Sequence, residues 1–153
     1  MKTKARHKKK AGAWRVLLVT VLIITGLMLG GILITAPGRA EIKNLSFSDI
    51  DFGRLQDGKF TGYYKGVKDS LRNTGVEVTI SSGRIVKINA VGGALAGKKQ
   101  TDEMNNGKSL EDLFRSVMEQ ETLQVDVISG ATLTSKAYLK AVEDALIKAQ
   151  AAQ

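Results

Sequence analysis

The chain has 153 residues, enough for one compact domain with an appendage and too short for two full-sized domains, and its 43% apolar and 25% charged residues, near the globular average, exclude a disordered acidic tail or a low-complexity polymer. Its formal net charge of +8 is concentrated at one end: residues 1–15 carry seven basic side chains (Lys2, Lys4, Arg6, Lys8, Lys9, Lys10, Arg15) and no acidic one, leaving 16 basic against 15 acidic residues, so no nucleic-acid partner is expected for the folded part. With no cysteine and a single histidine, His7, expected to be solvated in that basic tail, the chain alone cannot assemble a disulfide, a thiolate or histidine metal site, or a histidine-based triad.

Val16 to Ala36 are free of charge, and 21 helical residues span about 31 Å, the thickness of a bilayer's hydrocarbon core. A cleaved secretory leader is the competing reading, but leader apolar regions usually run about 7 to 15 residues, so an uncleaved transmembrane helix over residues 16–36 is expected. The positive-inside rule then makes residues 1–15 a cytoplasmic tail, with Trp14 at the inner interface and everything beyond Arg39 outside the cytoplasm. Gly26 and Gly30 form a small-xxx-small pair of the kind that packs helices together, although such pairs are frequent by chance. Pro37 and Gly38 should stop the helix, and residues 37–56 read as a polar tether with a few apolar residues (Leu45, Phe47, Ile50, Phe52). A domain over residues 57–153 remains.

Within it, Asp57 and Gly58 suggest a turn. Lys59 to Lys65 alternates as a strand, with Phe60, Gly62 and Tyr64 on one side. Val76, Val78 and Ile80 alternate likewise, and Ser81 to Arg84 turn the chain into the β-branched run Ile85 to Val91, predicting a hairpin with one buried face. Gly92, Gly93 and Gly97 do not fit a dinucleotide fingerprint, which needs glycines at its first, third and sixth positions, and they read as a turn or a close backbone approach. Ser109 and Asp112 resemble a capping box ahead of a helix with Leu110, Leu113, Phe114, Val117 and Met118 on one stripe. Val125 to Ile128 suggests a short buried strand. A final helix capped near Thr134 or Ser135 places Ala137, Ala141, Ala145 and Ala149 on a stripe beside Tyr138, Val142 and Leu146. The expected fold is α+β: a small, mostly antiparallel sheet with two packed helices, preceded by one N-terminal transmembrane helix.

The stretch Asp126-Val-Ile-Ser-Gly-Ala-Thr132, continuing Leu-Thr-Ser135, carries the chemistry. Small residues and hydroxyls at the start of a helix suit an anion such as phosphate, because the first N–H groups have no intrahelical partner and glycine permits close approach. On spacing alone, Ser129 and Thr132 to Ser135 serve equally well as helix caps. No base that would activate a threonine is visible nearby.

This stretch resembles the flavinylation motif of FMN-binding domains, found in the C subunit of the Na+-translocating NADH:quinone reductase, in the G subunit of Rnf complexes and in small membrane-anchored bacterial proteins. Asp57-Gly-Lys-Phe-Thr-Gly-Tyr63 is similar to the family's opening strand, Val76 to Ile80 through Gly83-Arg84-Ile85 to its hairpin, and Ala141 to Leu146 to its closing helix. The resemblance implies that Thr132 carries FMN through a phosphoester bond, that Ser129, Gly130 and Ala131 shape the phosphate-facing turn, and that Asp126 belongs to the sequence recognised by a flavin transferase using FAD and a divalent metal. The chain lacks the extra segments of the large-complex subunits, which fits a stand-alone carrier better than a sodium pump.

The function so implied is that of a membrane-anchored, extracytoplasmic electron-transfer flavoprotein with covalent FMN, passing electrons from a membrane donor to an outside acceptor, with no metal and no catalytic residue of its own. Covalency suits that location, because a dissociable flavin would be lost by dilution. The alternatives are an anchored binding or scaffold domain without redox function, an accessory subunit of a larger membrane oxidoreductase complex, or an oxidoreductase acting directly on a small substrate. Tyr63, Tyr64 and Tyr138 are candidates by type for contact with the flavin ring, although ordinary core or surface roles suit each of them better.

Overall fold

The computed structural model describes residues 5–68 and 70–151, the side chain of His7 lying outside the described set. The chain divides into two compact units, Met1–Pro37 and Gly38–Gln153. The first consists of helix α1 (Ala5–Lys43) up to its internal Pro37. Its large apolar side chains from Trp14 to Leu33 are exposed, and its most apolar window has a mean hydropathy of 2.7. The hydroxyl of Thr20 is satisfied within the helix, Oγ1 donating to Val16 O at 2.9 Å. Among the described residues α1 is the one helix long and apolar enough to cross a membrane, a test that a signal sequence also passes.

The expected stop at Pro37 does not occur, because α1 continues to Lys43. Proline forfeits one backbone hydrogen bond but its fixed φ is helical, and residues 38–43 gain compensation inside the second unit, where Ile42 is buried. The expected tether is likewise part of that unit. Ile50 and Leu55 are buried, and Leu45, Phe47 and Phe52 pack against the core.

This segment lies along the last helix, α3 (Thr132–Ala151), and shares several hydrogen bonds with it. Lys136 Nζ donates to Lys43 O at 2.6 Å, Lys140 Nζ to Ser46 O at 3.1 Å and Gln150 Nε2 to Asp51 O at 2.8 Å. Ser48 N–H donates to the buried carboxylate of Glu143 at 2.6 Å, and Lys140 forms an ion pair with the same carboxylate. These α3 residues recur every three, four or seven positions, which places them on one face of the helix.

Strands β1 (Gly58–Tyr64), β2 (Thr74–Ser81) and β3 (Arg84–Gly92) form an antiparallel sheet in the order β1-β2-β3. Val76 pairs with Gly62 and Ala90, and Val78 with Phe60 and Ile88, so one face carries the apolar set expected from the alternation. The β2–β3 turn has Ser82 and Gly83 at φ 54° and 73°, and Asp57 accepts from both their N–H groups at 2.9 and 2.8 Å. Those two bonds hold the Asp57 carboxyl below its ordinary pKa.

Helix α3 crosses the apolar face on its alanine stripe: Ala137, Ala141, Ala145 and Ala149 are all fully buried. The approach is so close that a Cβ on Gly62 would lie 2.9 Å from Ala145 Cβ and nearer still to backbone atoms of Ala141 and Ala145. Helix α2 (Leu110–Gln120) starts with the expected capping box, Ser109 and Asp112 bonding reciprocally, and buries Leu110, Leu113, Phe114 and Val117. Before it stands a hairpin that the sequence reading did not anticipate, β4 (Glu103–Asn105) and β5 (Lys108–Ser109). Its two-residue loop has Asn106 and Gly107 both at positive φ.

Residues 125–128 belong to no ladder, contrary to the expected strand. Val125 and Ile128 are buried and Asp126 is exposed, a spacing of three that no flat strand could bury on one face. The last helix also begins earlier than expected, at Thr132 instead of after a cap at Thr134 or Ser135.

Candidate functional site

Ile128 to Ala131 close a tight turn, with Ala131 N–H donating to Ile128 O at 3.0 Å. Gly130 occupies its third position at φ 75°, where a side chain is strained. Asn105 from β4 braces the turn by donating Nδ2 to Ser129 O at 2.7 Å. Ser135 fixes the other side: its buried hydroxyl donates to Ala131 O at 3.1 Å and accepts from Ile128 N–H at 3.3 Å. The hydroxyls of the stretch thus divide by role. Ser135 is consumed by structure, whereas those of Thr132 and Thr134 are half-buried and have no hydrogen-bond partner among the described residues.

The first helical bond of α3 runs from Ser135 N–H to Ala131 O at 2.9 Å, so the N–H groups of Thr132, Leu133 and Thr134 precede the ladder. They stand at the positive end of a 20-residue helix dipole with no acidic residue in its first turn. Gly130, Ala131, Thr132, Leu133 and Thr134 line one cleft of about 270 Å³, and the sixth lining residue is Arg72, from the β1–β2 connection. Arg72 Nη1 is buried with no hydrogen-bond partner among the described residues. Glu143 Oε2, the other buried side-chain atom without a hydrogen bond there, is neutralised by Lys140, whereas no ion pair to Arg72 is found among the described residues. Free N–H groups, two free hydroxyls and a guanidinium, with no carboxylate in the wall among the described residues, form a donor set that fits a multi-oxygen anion such as a phosphate.

Three of the expected residues, Gly130, Ala131 and Thr132, therefore meet in the cleft. Ser129 and Asp126 are exposed and do not line it, Ser129 serving through its carbonyl. The tyrosines lie elsewhere. Tyr138 is buried edge-on to Phe114, donates to Gly92 O at 3.0 Å and accepts from Leu95 N–H at 3.1 Å, and its burial raises its pKa. Tyr64 is buried with its hydroxyl on Glu41, and Tyr63 is exposed with Lys148 over its ring. Gly93, at φ 93°, passes so near Tyr138 that a Cβ would sit 2.8 Å from the hydroxyl, which is the close approach expected of this glycine cluster.

Sequence reasoning did not find Arg72 and Asn105. Nothing local marks Arg72 among the chain's other basic residues. Asn105 is detectable through the Asn106-Gly107 pair beside it, a strong two-residue hairpin signal that places Asn105 at the end of a strand.

A family model described as FMN-binding domain matches residues 71–147, a span that includes Arg72, the turn and the first turn of α3. The NADH:acrylate oxidoreductase of Vibrio harveyi is 32% identical over 106 residues, which are 69% of this chain and 9% of that protein, so the chain corresponds to a small part of that relative's length. The crystal structure of the CPE2226 protein from Clostridium perfringens is 25% identical and aligns with a TM-score of 0.47 over 65% of this chain and 92% of its own. The chain belongs to the FMN-binding domain family.

Proposed function

We propose that this protein is a membrane-anchored, extracytoplasmic electron carrier whose FMN is held covalently through a phosphoester on Thr132, installed by a flavin transferase that breaks the pyrophosphate bond of FAD, joins the FMN phosphorus to the threonine oxygen and releases AMP and the hydroxyl proton. The observation that carries the reading is the free Thr132 hydroxyl at the head of α3, in a cleft whose wall offers donors and positive charge but, among the described residues, no carboxylate. When bound, FMN supplies reversible electron transfer. The chain's own residues do the holding. Gly130 lets the backbone turn tightly, the N–H groups of Thr132 to Thr134 would help hold the phosphate, and Ser135 and Asn105 keep the turn fixed from either side.

Asp126 suits recognition by the transferase, because its carboxylate is exposed and has no partner among the described residues. A use in redox chemistry is supported by the relative's name, that of an oxidoreductase. The anchor reading rests on α1, and sidedness on the seven-to-none excess of basic residues ahead of its apolar stretch. A membrane donor and an outside acceptor follow from that placement as partners.

Coexpression with a flavin transferase tests the attachment. Thr132→Ala should lose all in-gel flavin fluorescence under denaturing conditions while Thr134→Ala keeps it, and full fluorescence in folded Thr132→Ala would defeat the reading. Reporters fused after Gln153 should be active only outside the cytoplasm.

A further inference from the structure

We propose that Arg72 is the cation that pairs with the phosphodiester on Thr132 and so couples the bound flavin to the β1–β2 connection, an inference that rests on Thr132 being the attachment residue. A guanidinium is always charged and is the side chain best shaped to grip two oxygens of a phosphate at once. Leaving one of its donors buried and unmade is costly, so a buried Nη1 with no partner among the described residues marks a place where a partner belongs. The cleft places that atom's side chain with the three free N–H groups and the free hydroxyl at the start of α3.

The position of Arg72 is built, although it lies in a connection. Two residues on, Thr74 Oγ1 donates to Ala137 O of α3 at 3.2 Å, which ties the start of β2 to the helix that carries Thr132. Asn73 closes the connection on itself, accepting from Gly66 N–H at 3.0 Å through Oδ1 and donating its own N–H to Ser70 O at 3.2 Å. Glu41 accepts from Val67 and Lys68 N–H at 2.9 and 3.0 Å, fixing the near half of the same connection. Several hydrogen bonds thus hold the connection that presents Arg72, whose Nη1 has no hydrogen-bond partner among the described residues.

The opposite effects expected in the bare and flavin-bearing proteins provide the test. The full chain in detergent is prepared with and without a coexpressed flavin transferase, as wild type, Arg72→Met, Arg72→Lys and Thr132→Ala, and each sample is followed by intact mass and by thermal unfolding in circular dichroism. Without flavin, Arg72→Met should melt at or above the wild-type temperature, because it removes a buried donor that has no partner. With flavin, the wild type should gain Tm, Arg72→Met should lose more than half of that gain, Arg72→Lys should fall between them, and Thr132→Ala should show no gain. A folded Arg72→Met that takes up no flavin while Arg72→Lys does would support the assignment equally.

Flavin on wild-type Thr132 with the same Tm gain in Arg72→Met overturns the role of Arg72 and leaves the attachment reading standing. Absence of flavin from the wild type overturns both. An Arg72→Met protein that is unfolded before flavin is added also overturns it, because the guanidinium would then be serving the fold itself.

Discussion

Gly130→Ala should loosen the turn that presents Thr132, by an amount that the geometry bounds. Holding alanine at φ 75° costs about 1–2 kcal/mol, of which about 0.4–1 kcal/mol is returned by the stiffer unfolded chain. The new Cβ would lie 2.8 Å from Asn105 Nδ2, and moving that amide away breaks its 2.7 Å bond to Ser129 O, a further loss of about 0.5–1.5 kcal/mol. The net is about 2 kcal/mol, a Tm decrease of about 8 °C for a unit of this size, against a total stability of about 5–15 kcal/mol. The variant therefore stays folded. Urea unfolding of Gly130→Ala, Asn105→Ala and the double variant separates the two contributions: with Asn105 already truncated, Gly130→Ala should cost only its backbone part, about 1 kcal/mol. A Gly130→Ala protein within about 0.3 kcal/mol of wild type, or one with the same cost in both backgrounds, would refute the described turn.

Gly62→Ala should destabilise by about 3 kcal/mol or more in urea, because the methyl group would collide with the backbone of α3, which cannot move aside without lifting off the sheet. Residues 38–153 expressed alone should be soluble and cooperatively folded, whereas 57–153 should not: the shorter piece loses buried Ile42, Ile50 and Leu55, each worth about 1.5–3 kcal/mol, and equal Tm values for the two would contradict the packing. Asp57 binds its proton less readily in the folded state than in the unfolded one, so its contribution is full above the ordinary carboxylate range and is lost as pH falls below about 4. Asp57→Asn should accordingly be less stable near neutral pH and show a shallower loss of stability on acidification, and parallel pH–stability curves would count against the Asp57 turn cap.

Elements with a local rule could be read from the sequence. The alternation at Val76, Val78 and Ile80 dictates which face of β2 is buried, the Ser109–Asp112 spacing determines a capping box, and the alanines at every fourth position anticipate a helix that packs closely. Residues 38–56 were obscure because their hydrogen bonds go to side chains 93 to 99 positions away, and their apolar residues follow neither a helical nor a strand period. The run at 125–128 imitated a strand because a short apolar stretch has no distinguishing period, and its backbone is in part satisfied by the Ser135 hydroxyl. The motif residues Gly130, Ala131 and Thr132 line one cleft, because the turn and the start of α3 are adjacent in the chain. Arg72 was invisible, since only the pairing of β1 with β2 and the anchoring of Thr74 to α3 bring a residue 60 positions away to the same wall.

Intact mass of the native protein, followed by fragmentation of the peptide that holds Thr132, tests the central claim most directly. The account predicts a single added mass of about 438 Da, FMN less one water, localised to Thr132 and absent from Thr132→Ala. A native protein that retains FMN yet shows the mass of the bare chain, or an adduct that maps to another residue, would contradict it.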